Sequence, residues 1–347
     1  MLVITVLTAV LALTPNAYSS EMTTHEKAES FMNNIAGIDM TKYSSELISD
    51  LEVTDSTGVT KNTILYNLNS QESKLEVICN FRDKELVSIN INPIKGSPSL
   101  TRQVNNELDS AKNILNEYAK DSKAIYIQPM LEMLNKINEL TPNETVSDHL
   151  KMIIKTEEYT YIEWMNSPNG IHNMYNRIIL IFQKGALKTF SDSWNRYPIG
   201  TANVKISKEE SINIAKDCAK NFSYKIGNTT ISNLTVLDKP ELMQAQLTMQ
   251  PRENKLYPHW EVLLPLDQYY PGMTTSIRVT LWADTGEVIS VNAEGSLGAP
   301  AAIDSISTSE QSSIVSNQFM GLELIIGSLA SAVIAILSIV VLKKKRK

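Results

Sequence analysis

The chain has 347 residues, 43% apolar and 20% charged, with 13 Gly, 13 Pro and two Cys. That composition excludes a disordered chain, a collagen-like chain and a disulfide-dense mini-protein. The formal charge is −6 although the last five residues, Lys343 to Lys347, are all cations, so the body is more acidic still and offers nucleic acid no basic stripe.

Leu2 to Leu13 is an uninterrupted run of apolar residues and Thr, too short for a bilayer core that needs about 20 helical residues. Ala17-Tyr18-Ser19 follows as a small-x-small cleavage site, so residues 1–20 read as a signal peptide, with no Lys or Arg before the run.

Residues 21–294 read as three versions of one plan, a helix followed by antiparallel strands. Unit one (21–100) opens on Thr23-Thr24-His25-Glu26, a capping box. Ala28, Phe31, Met32, Ile35 and Ala36 then recur at helical spacing, and Gly37 stops the helix. Extended runs follow at Thr63–Tyr66, Leu75–Phe81 and Leu86–Ile91. Unit two (101–200) has a longer helical part, with a stripe of Val104, Leu108, Ala111, Leu115 and Tyr118 and a second helix starting near Pro129. Its strand candidates are His149–Lys155, Tyr159–Met165, Arg177–Phe182 and Leu187–Ser191. Unit three (201–294) opens on a second capping box, Ser207 with Glu210, before a helix lined by Ile212, Ala215 and Ala219. Strands are expected at Ile231–Leu237, Gln244–Met249, Trp260–Leu266, Ser276–Trp282 and Val288–Val291. The three closing hairpins agree in pattern. Phe81, Phe182 and Trp282 each stand just before a polar turn, and Leu86, Leu187 and Val288 just after it. The expected fold is therefore α+β: repeated units of a helix packed on antiparallel sheet.

Residues 295–318 are rich in Ser and lack aromatic residues and cations, as in a flexible stalk. Ile325 to Leu342 is free of charge and of Pro and is followed at once by the basic run 343–347. Residues 319–342 thus read as one transmembrane helix, with the tail cytoplasmic and the body outside.

In unit three, Ile206-Ser207-Lys208-Glu209-Glu210-Ser211-Ile212-Asn213-Ile214-Ala215 opens the segment and Tyr257-Pro258-His259-Trp260-Glu261-Val262 sits mid-way. Val279-Thr280-Leu281-Trp282-Ala283-Asp284-Thr285-Gly286-Glu287-Val288-Ile289 closes it. Together, over residues 206–292, these resemble a PepSY-type domain. The resemblance implies a helix against an antiparallel sheet, and an interaction or peptidase-regulating role without catalysis.

The four His residues (His25, His149, His172 and His259) stand at no metal-ligand spacing from one another or from a Cys. Neither a G-x-S-x-G motif nor a P-loop occurs. No catalytic residue, metal ligand or cofactor site is therefore predicted. Cys79 and Cys218 either form a disulfide between units one and three or are two separate buried thiols. Asn143, Asn221, Asn228 and Asn233 head glycosylation sequons. Two aromatic–proline clusters, with Trp194 and Tyr197 in one and Tyr269 and Tyr270 in the other, are candidates for a ligand surface or for packing between units.

The expectation is a single-pass cell-membrane protein, not an enzyme, binding a peptide, protein or envelope polymer outside the cell and regulating a peptidase in one form of that role. The rival readings are a sensor or assembly subunit of a membrane complex, and an envelope hydrolase with a nonlocal site.

Overall fold

The computed structural model describes residues 22–56, 58–102 and 106–295. The expected signal peptide, the stalk after Gly295, the transmembrane segment and the basic tail lie outside the described residues.

Helix α1 (Thr24–Ser30) starts where the sequence marks it. The Glu26 N–H donates to Thr23 Oγ1 (3.2 Å), and the Thr23 N–H donates to the Glu26 carboxylate (2.7 Å). The helix runs on as a π-helical turn, Phe31–Ile35, and the chain reverses at Gly37 in the left-handed region (φ +70°). Strands β1 (Ser44–Thr54), β2 (Thr60–Asn69), β3 (Lys74–Arg82) and β4 (Glu85–Lys95) then form a meander. Helices α2 (Glu107–Ser122) and α3 (Ile127–Asn135) precede β5 (Asn143–Ser147), β6 (Leu150–Thr156), β7 (Thr160–Asn166), β8 (Arg177–Gln183) and β9 (Ala186–Asp192). All nine strands belong to one antiparallel sheet in the order β1-β2-β3-β4-β9-β8-β7-β6-β5.

Alternation along each strand decides what is buried. Ile64, Tyr66 and Leu68 of β2 and Val77, Cys79 and Phe81 of β3 point under the helices, against Ala28, Phe31, Leu108 and Leu115. Phe190 ties the helices to the sheet, with its ring 4.9 Å from Phe31 and 4.6 Å from Tyr118. The opposite face is polar. There Thr63 donates to Asn80 (2.9 Å), Asn80 to Ser88 (2.9 Å) and Thr189 to Asn90 (2.9 Å), a ladder of hydrogen bonds across neighbouring strands.

The rest of the chain builds a second sheet. Helix α4 (Lys208–Lys220) is capped by Ser207 and Glu210, and the small hairpin β10 (Tyr224–Ile226) and β11 (Thr229–Ile231) follows it. Strands β12 (Gln244–Arg252), β13 (Lys255–Tyr270), β14 (Thr274–Trp282) and β15 (Val288–Gly295) form an antiparallel meander. Ala215 and Ala219 let α4 sit close on Trp260, Val262, Leu264, Ile277, Val279 and Leu281.

Main-chain pairing joins the two sheets. The Met249 N–H donates to His172 O (2.8 Å), the Gly200 N–H to Leu256 O (2.8 Å) and the Leu256 N–H to Pro198 O (2.9 Å). Ile171, Met249 and Leu256 form a small core at this junction. Gly200 leaves room for Tyr257 here, because a Cβ would lie 2.5 Å from its ring and would have to push it aside.

The expected fold class needs correction. Strands take 47% of the described residues and helices 22%, so the molecule is mostly antiparallel sheet under a thin helical layer. Nor do the first two units each own a sheet. Their last strands pair through Ser88↔Ser191, Ile89↔Phe190 and Asn90↔Thr189, which removes two open edges that separate units would carry. Among the described residues no helix is long and apolar enough to cross a membrane.

Candidate functional site: the open edge of the first sheet

β1 is an edge strand of the nine-stranded sheet, and among the described residues it pairs with β2 alone. It is 11 residues long, and every one of them is exposed. The register sorts its side chains. Leu47, Asp50 and Glu52 stand opposite Tyr66, Ile64 and Asn62, and so share the helix-covered face. Ser49, Leu51 and Val53 stand opposite Leu65, Thr63 and Lys61 on the other face. A bulge at Ile48 makes the switch between the two halves. Four large apolar side chains lie open: Leu47 at 50% exposure, Ile48 at 38%, Leu51 at 62% and Val53 at 53%. The strand carries Glu46, Asp50 and Glu52 and no Lys, Arg or Pro. Edge strands are ordinarily protected by shortness, Lys, Pro, a bulge or inward-pointing charge; this one is long and carries only the bulge at Ile48 and its acidic side chains. At the other end of the sheet the edge is short, since β5 has only 5 residues.

Helix α1 fastens this edge. His25 Nε2 lies 2.9 Å from Asp50 Oδ2, and its Nδ1 lies 2.6 Å from the Tyr66 hydroxyl. The Asn62 amide donates to the other Asp50 oxygen (2.7 Å). The Asn62 hydrogen bond, more than the His25 one, holds the Asp50 carboxyl below its ordinary range, so the edge keeps its negative charge. Burial pushes the Tyr66 phenol up to about 12, which keeps it a neutral hydrogen-bonding group. Lys27 reaches from α1 to Lys84 O (3.0 Å) and Glu85 (2.8 Å) on the next hairpin. The arrangement ties α1 to β1 through Asp50, and among the described residues no strand pairs with the outer rim of β1.

The sequence-predicted sites fall elsewhere. Trp194 is interior, stacked on Tyr126 with ring centroids 5.7 Å apart. Tyr197 is half-buried at the junction, edge-on to Tyr175 at 5.6 Å, and its carbonyl accepts from Asn176 (2.6 Å). In this cluster Trp194 and Tyr197 pack within the molecule, while Asn195, Arg196 and Pro198 are exposed. Tyr269 is exposed near the end of β13, and Tyr270 is half-buried with its hydroxyl on Asp267 (3.0 Å). Both cysteines are free. Cys79 is sealed in the first core, where burial pushes its thiol up to about 12, and Cys218 packs against the second core. Of the two alternatives, separate thiols describe the molecule. Asn143, Asn221, Asn228 and Asn233 are all exposed, at the start of β5, the end of α4, the β10–β11 turn and the loop after β11. An open depression of about 560 Å³ lies beside the π-helical turn. Its charges neutralise one another, with Glu117 3.0 Å from Lys120 and 3.9 Å from Arg102.

β1 itself was absent from the sequence-derived strands. Its signal is the period-two spacing of Leu47, Ser49, Leu51 and Val53, diluted by acidic residues and broken by the bulge.

No protein-family model matches this chain, and no curated protein does. Among solved structures, the Bacillus megaterium YpeB C-terminal domain aligns over 78% of this chain and 95% of its own, at 12% identity and a TM-score of 0.32. Support for the PepSY-type resemblance stops there, since a score of that size establishes no shared fold.

Proposed function

We propose that this chain is a non-enzymatic binding module, displayed outside the cell on a membrane anchor, that takes an extended cationic segment of a partner protein as an added strand on β1. The observation that carries this reading is an 11-residue edge, exposed throughout and backed by a full sheet. Strand addition draws affinity from main-chain hydrogen bonds, and specificity from side chains that alternate between the two faces. Here Leu51 and Val53 would seat apolar residues of the incoming strand, and Glu46, Asp50 and Glu52 would select cations. Charge also argues against a second copy as the occupant. Antiparallel self-pairing centred on Ser49 sets Glu46 opposite Glu52, and pairing centred on Asp50 sets that carboxylate opposite itself. Regulation of an envelope peptidase is the specific form of this role that the PepSY resemblance implies.

The test uses the full-length chain and two nonapeptides, one alternating Val with Lys and the other Val with Glu. The proposal expects the Val–Lys peptide to bind and the Val–Glu peptide not to bind. It also expects Leu51→Lys with Val53→Lys to abolish binding while leaving thermal stability unchanged. Equal binding of both peptides, or full binding by the double variant, would overturn it.

A further inference from the structure

The three closing hairpins correspond in register, with Phe81↔Leu86, Phe182↔Leu187 and Leu281↔Val288 as matching pairs, although the third turn is longer and its matching residue is Leu281 rather than Trp282. Each carries a register irregularity at the same place: between Asn80 and Phe81 on β3, between Ile181 and Phe182 on β8, and between Thr280 and Leu281 on β14. The strands that follow can be laid over one another residue by residue. Ser88-Ile89-Asn90 of β4, Thr189-Phe190-Ser191 of β9 and Ser290-Val291-Asn292 of β15 occupy the same positions. Asn80 donates to Ser88 on one hairpin, and Thr280 shares a hydrogen bond with Ser290 (2.7 Å) at the matching place on another.

In two of the three hairpins the outer rim of this strand is used. β4 and β9 pair antiparallel about a centre at Ile89↔Phe190, with Ser88 facing Ser191 and Asn90 facing Thr189. The pairing is twofold in character, because each polar residue before the centre meets the polar residue after the centre on the other strand. Both central side chains are buried in the core under the helices, Ile89 and Phe190 each being 0% exposed. β15 has the same polar–apolar–polar signature, and among the described residues nothing pairs with its outer rim. Val291 is only half-buried and Ile289 is 46% exposed.

We infer that β15 is a self-pairing edge, on which a second copy of this chain docks its own β15 antiparallel about Val291. The partner is fixed by the internal example: the strand type that fills this rim within the chain is the same strand type, turned about a twofold axis. Pairing centred at residue 291 sets Ser290 against the partner's Asn292, as Ser88 meets Ser191. It sets the exposed Ile289 against the partner's Ala293, and Glu294 against the partner's Val288, so no like charges meet. Two four-stranded sheets would become one sheet of eight, and the open edges at β15 would vanish. This inference is independent of the reading of β1, which lies on the other sheet.

The experiment is cysteine crosslinking in the full-length chain, with Cys218→Ser to remove the half-buried thiol. Cα atoms directly opposite in an antiparallel pair lie about 5 Å apart, within disulfide reach. Val291→Cys is therefore expected to form a covalent dimer under mild oxidation, doubling the mass. Ile289→Cys, whose partner copy would be four positions out of register, is expected to stay monomeric. Light scattering on the same chain without added cysteines reports the dimer directly. A second pair of variants guards against misfolding: Ser290→Lys and Asn292→Glu should each weaken the dimer, and together restore it by placing Lys against Glu. A monomer at all concentrations, or equal crosslinking at 289 and 291, would overturn the inference.

Discussion

Asp192 shows how one residue decides the fate of several predicted ones. It sits at the end of β9, and its Oδ2 accepts from both Tyr118 (2.6 Å) and Tyr126 (2.5 Å). Its Oδ1 accepts from the Trp194 N–H (2.9 Å). That triple acceptance draws Trp194 inward against Tyr126, away from any ligand surface. Asp192→Ala would strand three donors, and a loss of about 3–5 kcal/mol in chemical denaturation is expected, far more than Asp192→Asn, which keeps an acceptor. His259 gives a pH signature. Burial pulls its pKa down to about 4, and its Nδ1 has no hydrogen-bond partner beside the edge of Trp282. The unfolded chain protonates this His near its ordinary value of 6.5 and the folded one only near 4, so between those values the unfolded state binds the extra proton. Stability from this group is full above pH 6.5 and declines towards pH 4, by roughly 3 kcal/mol in all. His259→Phe should flatten that part of the curve, and an unchanged slope would show that other groups set it.

At the scale of elements, the helix starts were the most legible. T-x-x-E and S-x-x-E named Thr23 and Ser207 as caps, and both capping boxes are present in full. Ser207→Ala should cost about 1 kcal/mol in denaturant unfolding, because the Glu210 N–H at the helix start loses its acceptor. Two of the closing hairpins were legible too, since Phe81 and Leu86, and Phe182 and Leu187, pair across their turns as the pattern expects, whereas in the third Val288 pairs with Leu281 and not with Trp282. β1 was not. Its bulge at Ile48 breaks period two, and a strand open on its outer rim and exposed along both faces shows no buried alternation for a pattern to register. The edge proposed to take an added strand was for that reason the least visible in the sequence.

At the scale of the whole molecule, what the sequence presented as three units is, among the described residues, two large sheets and the small β10–β11 hairpin. The merger of the first two depends on a long-range pairing of β4 with β9 that no local pattern announces. The connection to the second sheet is equally nonlocal. Asn176 donates to Tyr197 O (2.6 Å) and Tyr175 to Gln250 (2.5 Å), and Gly200 lets Tyr257 pass at close range. Gly200→Ala should push Tyr257 aside at a cost of about 1–3 kcal/mol, read as a lowered Tm. β1 and β15 are edges of different sheets. The most direct test of β1 as the recognition edge is hydrogen exchange of the full-length chain with and without the alternating Val–Lys peptide. Strand addition predicts slowed exchange confined to the outward-facing amides of residues 44–54. Protection that appears elsewhere, or nowhere, would contradict it.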